Sequence, residues 1–172
     1  MLHGGVLMGE IIRINTWKEK RGKKMESIFM VAAYLLSKES MNNKKLQKLC
    51  FYIQSWHLAW FNERMFDESF QAWVHGPVCV NLYHAYKYWG SMPIPKFTNL
   101  DSIILSDRSR AVIDSVYEAF GKFTAEQLEA FTHAEAPWQI ARRGYRPSDY
   151  CNVIIDDNEM RNVCIQKMNS ER

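Results

Sequence analysis

The 172-residue chain has the length of one domain, and a hydrophobic content of 47% is enough to build a core at that size. The formal net charge of +3 is concentrated in residues 1–24, which hold six Lys or Arg against Glu10 and Glu19; residues 25–172 hold sixteen Lys or Arg against seventeen Asp or Glu, a balance of −1. A body without net positive charge argues against nucleic-acid binding, which needs a clustered basic face, and no apolar run approaches the ~18 residues of a membrane span.

Residues 1–24 show no helical or strand period. They fit a basic arm for nucleic acid or an anionic membrane. They also fit translation that naturally starts at Met25, with Arg21, Gly22, Lys23 and Lys24 encoded by a purine-rich stretch like a bacterial ribosome-binding site. The second explanation is favoured. The segment lacks the apolar core and small-residue cleavage site of a signal peptide. The expected organisation is a leader over 1–24, upstream of the natural start or disordered, and one folded domain over 25–172.

Ile28, Val31, Ala32 and Leu35 fall at i, i+3, i+4 and i+7 and predict a helix over 26–37. Asn42 or Asn43 then caps a helix over 44–63. Leu46, Leu49, Cys50, Ile53, His57 and Trp60 share one face of it, while Phe51, Tyr52 and Leu58 lie elsewhere on the same cylinder. A helix apolar on most sides is central and buried. Lys44, Lys45 and Lys48 oppose the macrodipole at its start, which suggests another role for some of them. Residues 69–75 predict a short extended segment. Gly76-Pro77 reads as the opening of a helix over 77–89 that Gly90 stops. Pro93 and Pro95 make 91–106 a loop.

A helix over 108–120 follows, with Asp107 as cap and Gly121 as stop. Thr124 and Gln127 form a capping box that opens a helix ending near His133. Pro137 starts a short helix over 138–143, residues 152–155 predict a short strand, and a last helix covers about 157–168. The sum is a mainly α (α+β) fold: a compact single-domain helical bundle of about six to seven helices with one or two very short β-strand pairs. Leu46, Ile53, Trp60 and Val78 are assigned wholly to its core.

Reactive constellations are sparse. His75, Cys79 and His84 lack the tight pairs of a zinc site, so no metal is expected. Cys50 and His57 lie about two helical turns apart, ~10 Å along the axis, too far for the histidine to activate the thiol. The four cysteines show no CxxC spacing and read as reduced thiols of a cytoplasmic protein. No Gly-rich phosphate loop occurs, and no cofactor is expected. His133 and Glu135 could form an acid–base pair. Residues 124–143 have a helix-turn-helix outline ending in Arg142 and Arg143, although Pro137 and Trp138 occupy the positions where base-contacting polar residues belong. The aromatic set between Trp56 and Tyr86 fits a recognition surface better than a reaction centre.

Four motifs in register carry a family resemblance: K-L-Q-K-L-x-F-Y-x-Q-x-W-H-L at 45–58, A-W-x-x-G-P-V at 72–78, L-Y-H-A-Y-K at 82–87 and T-H-x-E-x-P-W-x-x-A-R at 132–142. Over about 25–168 the chain resembles the Panacea domain family, which includes the SocA-like antitoxins and phage-associated GepA-type proteins. His75 and Cys50 depart from the usual family residues. The resemblance implies a non-enzymatic antitoxin without cofactor. It would bind a protein toxin encoded by an adjacent gene and neutralise it by direct contact, or deliver it to a cellular protease. Family members begin shortly before the first helix, in keeping with a start at Met25.

The expected partner-binding residues are Lys45, Lys48, Tyr52 and Trp56 on the central helix, Trp73 and His75 on the extended segment, and Tyr83 and His84 after it. His133, Trp138 and Arg142 complete the set. Trp73, His75 and Trp138 are the expected anchors; Lys45, Lys48 and Arg142 are expected to pair with partner acids or phosphates. A homodimer of the free protein is left open. The alternative is a DNA-binding transcriptional regulator of a phage or mobile-element locus.

Overall fold

The structure, a computed structural model, describes residues 25–170; the expectations for 1–24 lie outside the described residues. Seven α-helices and one two-stranded sheet make up the described chain. Helix α1 (Ile28–Lys38) starts at Ser27, whose hydroxyl accepts from the Phe29 N–H, and buries Ile28, Val31, Ala32 and Leu35 as the period predicts. Helix α2 (Asn43–Phe61) is capped by Asn42, which accepts from the Lys45 N–H, and ends where Asn62 turns left-handed at φ 53°. Its residues 46–58 are all buried. Leu46, Leu49 and Ile53 are fully enclosed, each worth about 1.5–3 kcal/mol.

Around α2 pack α1, helix α3 (Val80–Tyr86), helix α4 (Asp107–Phe120), helix α5 (Ala125–His133) and helix α7 (Asp157–Ser170), with α7 making the most extensive contact. Helix α6 (Ala136–Ala141) bridges α5 and α7. The expected mainly helical bundle with very short strands is what forms. Its capping box at Thr124 is present in full. The cap of α4 is Ser106, one residue before the expected Asp107, and its hydroxyl accepts from the Ser109 N–H. Val78, Leu46 and Ile53 are in the core as expected, whereas Trp60 is only half-buried against its edge, with its ring 5.3 Å from that of Trp56.

The Gly76-Pro77 expectation is corrected. These residues lie in β2 (Gly76–Val78), which pairs antiparallel with β1 (Gln71–Trp73) in a hairpin, and the helix starts only at Val80 and ends at Tyr86. Gly76 turns the chain out of the two-residue loop at φ 94°, a conformation glycine adopts without steric cost. Ala72 faces Pro77, yet it directs its N–H to the Val153 carbonyl (2.9 Å) and its carbonyl to Arg142 Nη1 (2.8 Å). Proline therefore occupies a position where the sheet asks for no donor. Cys79 is held extended by Gln47, so the helix cannot begin at Pro77. The strand expected over 152–155 is reduced to an isolated bridge between Ile154 and Gln71, with the Ile155 N–H donating to the Phe70 carbonyl.

Candidate functional site

The N-terminal half of α2, the hairpin and α3 enclose a groove of about 370 Å³. Asn43, Lys44, Gln47 and Lys48 come from α2, Trp73, Val74, His75 and Val78 from the hairpin, and Tyr83 from α3; Lys87, Gly90 and Tyr150 close its rim. Helical spacing explains the first set: 43, 44, 47 and 48 repeat at i, i+1, i+4, i+5 and share one side. Polar bonds lock the walls together. Gln47 Nε2 donates to Asn43 Oδ1 (3.2 Å) and Asn43 Nδ2 donates to the Tyr83 carbonyl (3.3 Å). Trp73 meets Tyr83 edge-on with ring centres 5.0 Å apart, and its Nε1 donates to Gln71 Oε1 (2.8 Å).

Lys48 forms the floor. It is 1% exposed, and its Nζ donates to the Pro77 carbonyl at 3.1 Å. Burial lowers its pKa to about 7. Lys44, by contrast, is raised, first by its hydrogen bond to Glu129 (2.8 Å), with Glu126 at 3.5 Å. His75 Nδ1 lies 2.9 Å from Glu129 Oε1. Burial pushes the Glu129 carboxyl up, but hydrogen bonds from Lys44 and His75 outweigh it and the net direction is down. Lys44 and His75 also line a shallower hollow with Glu126, Glu129, Ala130 and His133.

Of the sequence-derived contact residues, the groove gathers Lys48, Trp73, His75 and Tyr83. His84 is exposed with its ring beside Tyr83. His133 stacks on Trp138 with ring centres 4.0 Å apart, and burial lowers its pKa; Trp138 Nε1 donates to the Trp73 carbonyl (2.9 Å), so both support the hairpin from behind. Lys45 donates to the Gly121 carbonyl (2.7 Å) and pairs with Glu39, outside the groove lining.

Three residues are corrected as direct contacts. Tyr52 is buried, stacked on Phe120 with ring centres 4.4 Å apart. Trp56 is 3% exposed among core side chains. Arg142 is 5% exposed, and its guanidinium donates to the carbonyls of Ala72, Arg146, Pro147 and Asp149, leaving none of the outward reach a partner phosphate would need. Lys48 is also buried but lines the groove. The acid–base pair does not form either: Glu135 turns to the Tyr52 hydroxyl (3.2 Å) and to Lys167.

Sequence reasoning missed Gln47, Lys87, Tyr150 and Glu129. Gln47 and Glu129 carry no local signal, because each acts on a segment more than thirty positions away. The lysines opposing the α2 dipole were the one legible sign of the groove floor. Among the described residues no three His, Cys, Asp or Glu converge as metal ligands, and no helix is long and apolar enough to cross a membrane.

The family described as antitoxin SocA-like, Panacea domain, matches residues 46–139, more than half of the chain. The chain belongs to this Panacea family. No curated protein and no solved structure matches it. The Panacea match runs from the first turn of α2 into α6 and takes in most of the groove, from Gln47 to Gly90. Asn43, Lys44 and Tyr150 of the lining lie outside it. So do α1 and α7, whose Ile28, Leu35, Met160 and Cys164 complete the core of the Panacea fold here.

Proposed function

We propose that this Panacea-family protein is an antitoxin that binds a protein toxin and neutralises it by direct contact at the groove between α2, the hairpin and α3. The observation that carries this reading is the convergence of Trp73, His75 and Tyr83 on one concave surface within the family-matched region. Trp73 and Tyr83 are half-buried and packed edge-on, and rings held in this way make strong anchors because they lose little freedom on binding. A groove between two helices and a hairpin suits a partner's helix or extended segment. The toxin is the product of an adjacent gene, and delivery to a cellular protease is a second route to the same outcome. Four buried, unpaired thiols are in keeping with a cytoplasmic site of action. The working unit is the folded domain from residue 25 onward. The DNA-binding alternative has less support, since Arg142, one of its two arginines, is committed to backbone carbonyls.

Co-expression of the full chain with the gene beside it tests the proposal, scoring growth and co-purification together. The neighbour alone stops growth, and the chain restores it and elutes with the neighbour. A harmless neighbour that does not co-purify would overturn the reading.

A further inference from the structure

Resting on that reading, we infer that the groove is selective for a carboxylate: an Asp or Glu side chain on an acidic segment of the partner enters the groove beside the packed Trp73 and Tyr83 rings and takes Lys48 as its counter-ion. The lining contains Lys44, Lys48, Lys87 and His75 and no Asp or Glu, so the surface is complementary to an anion. Lys44 and His75 already face Glu129. Lys48 has one hydrogen-bond acceptor among the described residues, the Pro77 carbonyl, although an ammonium carries three donors.

A nine-tenths-buried amine with unfilled donors is costly unless something pairs with it. The hairpin holds it there. A Cβ added at Gly76 would sit 2.6 Å from Lys48 Cε and 2.8 Å from Thr132 Oγ1, so the lysine stem occupies the space that a side chain at Gly76 would need. One ammonium in a groove that also carries the Trp73 and Tyr83 rings suits a monoanionic carboxylate with an apolar neighbour; a phosphate dianion would call for a fuller set of donors.

The groups that face Lys48 set its protonation. Lys44 on α2 disfavours its charge and Glu129 on α5 favours it; His75 on the hairpin and His133 at the end of α5 stand close to the same carboxylate. Burial dominates and brings the pKa of the amine to about 7. An arriving carboxylate therefore draws a proton onto Lys48, and binding strengthens as pH falls.

The test uses the full chain without any toxin. Its backbone and Trp73 indole resonances are followed by NMR during titration with acetyl-Leu-Glu-Leu-amide, and separately with acetyl-Leu-Gln-Leu-amide. The acidic peptide shifts the Trp73 and Gly90 signals and binds at least about tenfold tighter than the amide. Its affinity falls between about pH 6 and about pH 8. Lys48→Met, which keeps the stem and removes the charge, retains the fold by its spectrum and loses the preference. Equal binding of both peptides, no shift with either, or an unchanged preference in Lys48→Met overturns the inference, as does inorganic phosphate moving the same signals while the acidic peptide does not. The two readings separate cleanly. Neutralisation of the toxin by wild type and Lys48→Met alike sinks the carboxylate and spares the antitoxin; carboxylate selectivity with a harmless neighbour does the reverse.

Discussion

The side-chain amide of Gln47 grips the backbone of Cys79 from both sides: its Oε1 accepts from the Cys79 N–H at 2.8 Å and its Nε2 donates to the Cys79 carbonyl at 3.4 Å. Gln47 is 2% exposed and Cys79 is 1% exposed, so water can replace neither bond. This contact joins α2 to the junction of β2 and α3 and thereby sets the width of the groove. Gln47→Ala strands the Cys79 N–H and is expected to cost about 2–4 kcal/mol, the loss of two buried hydrogen bonds plus an unsatisfied donor. Urea unfolding of the variant measures it; a loss below about 0.5 kcal/mol would mean that the junction holds without the amide.

Trp73→Ala is expected to leave the fold largely intact and weaken partner binding by more than ~1 kcal/mol. Trp73 is only half-buried, and the support it gives Trp138 comes from its backbone carbonyl, which the substitution keeps. Circular dichroism of the variant beside its affinity for the co-purified toxin checks both halves. An unfolded variant would assign Trp73 to the core.

Arg142 separates a structural from a DNA-reading role. Nη1 donates to the Ala72 carbonyl, and Nη2 is shared among the carbonyls of Arg146, Pro147 and Asp149. Arg142→Ala leaves the buried Ala72 carbonyl unpaired and releases the 146–149 carbonyls, and is expected to cost about 1–3 kcal/mol. Arg142→Lys should recover little, because a single ammonium cannot span the fork that the guanidinium fills. Full stability of either variant, combined with loss of salt-sensitive DNA binding, would revive the DNA-binding reading.

Much of this fold is legible in the sequence, and the misses share one cause. The period of Ile28, Val31, Ala32 and Leu35, the Asn42 cap and the Thr124–Gln127 box are local signals, and local geometry honours them. Gly76-Pro77 misleads because a Gly-Pro step before an apolar run is also a helix-start signature. The decision for a hairpin comes from Gln47, which meets Cys79 only after α2 has packed. The depth of the site residues is equally non-local. Tyr52 and Trp56 lie on a helix visibly apolar on most sides, but Phe120 on α4 stacks over Tyr52 and α7, from the far end of the chain, covers α2. Arg142 reads as an exposed helix-end cation until the 146–149 carbonyls fold back on it. The motif spacing conveyed the family; long-range packing determined which motif residues face the groove.

Lys48 ties the site to stability through pH. Its folded pKa of about 7 stands below the unfolded 10.5, so between these values the unfolded chain holds a proton that the native state lacks. Stability rises with pH wherever the unfolded state binds more protons. The cost of the buried ammonium is therefore present in full below pH 7 and declines as pH climbs toward the ordinary lysine range. The buried thiols Cys50 and Cys164, pushed up by burial, act in the opposite sense once unfolded thiols begin to ionise. A total stability curve mixes both effects, so the informative quantity is the difference between wild type and Lys48→Met, in which the thiols cancel. The variant is expected to be the more stable protein near pH 6, by an amount on the order of 2–4 kcal/mol. Its advantage should shrink as pH rises from about 7 toward 10.5, where native Lys48 has lost a proton that the unfolded chain still holds. Parallel urea titrations across that range give the difference directly. A constant gap would mean that Lys48 keeps an ordinary lysine pKa and that water reaches the groove floor. A variant less stable than wild type at every pH would mean that the bond from Nζ to the Pro77 carbonyl outweighs the cost of burying the charge.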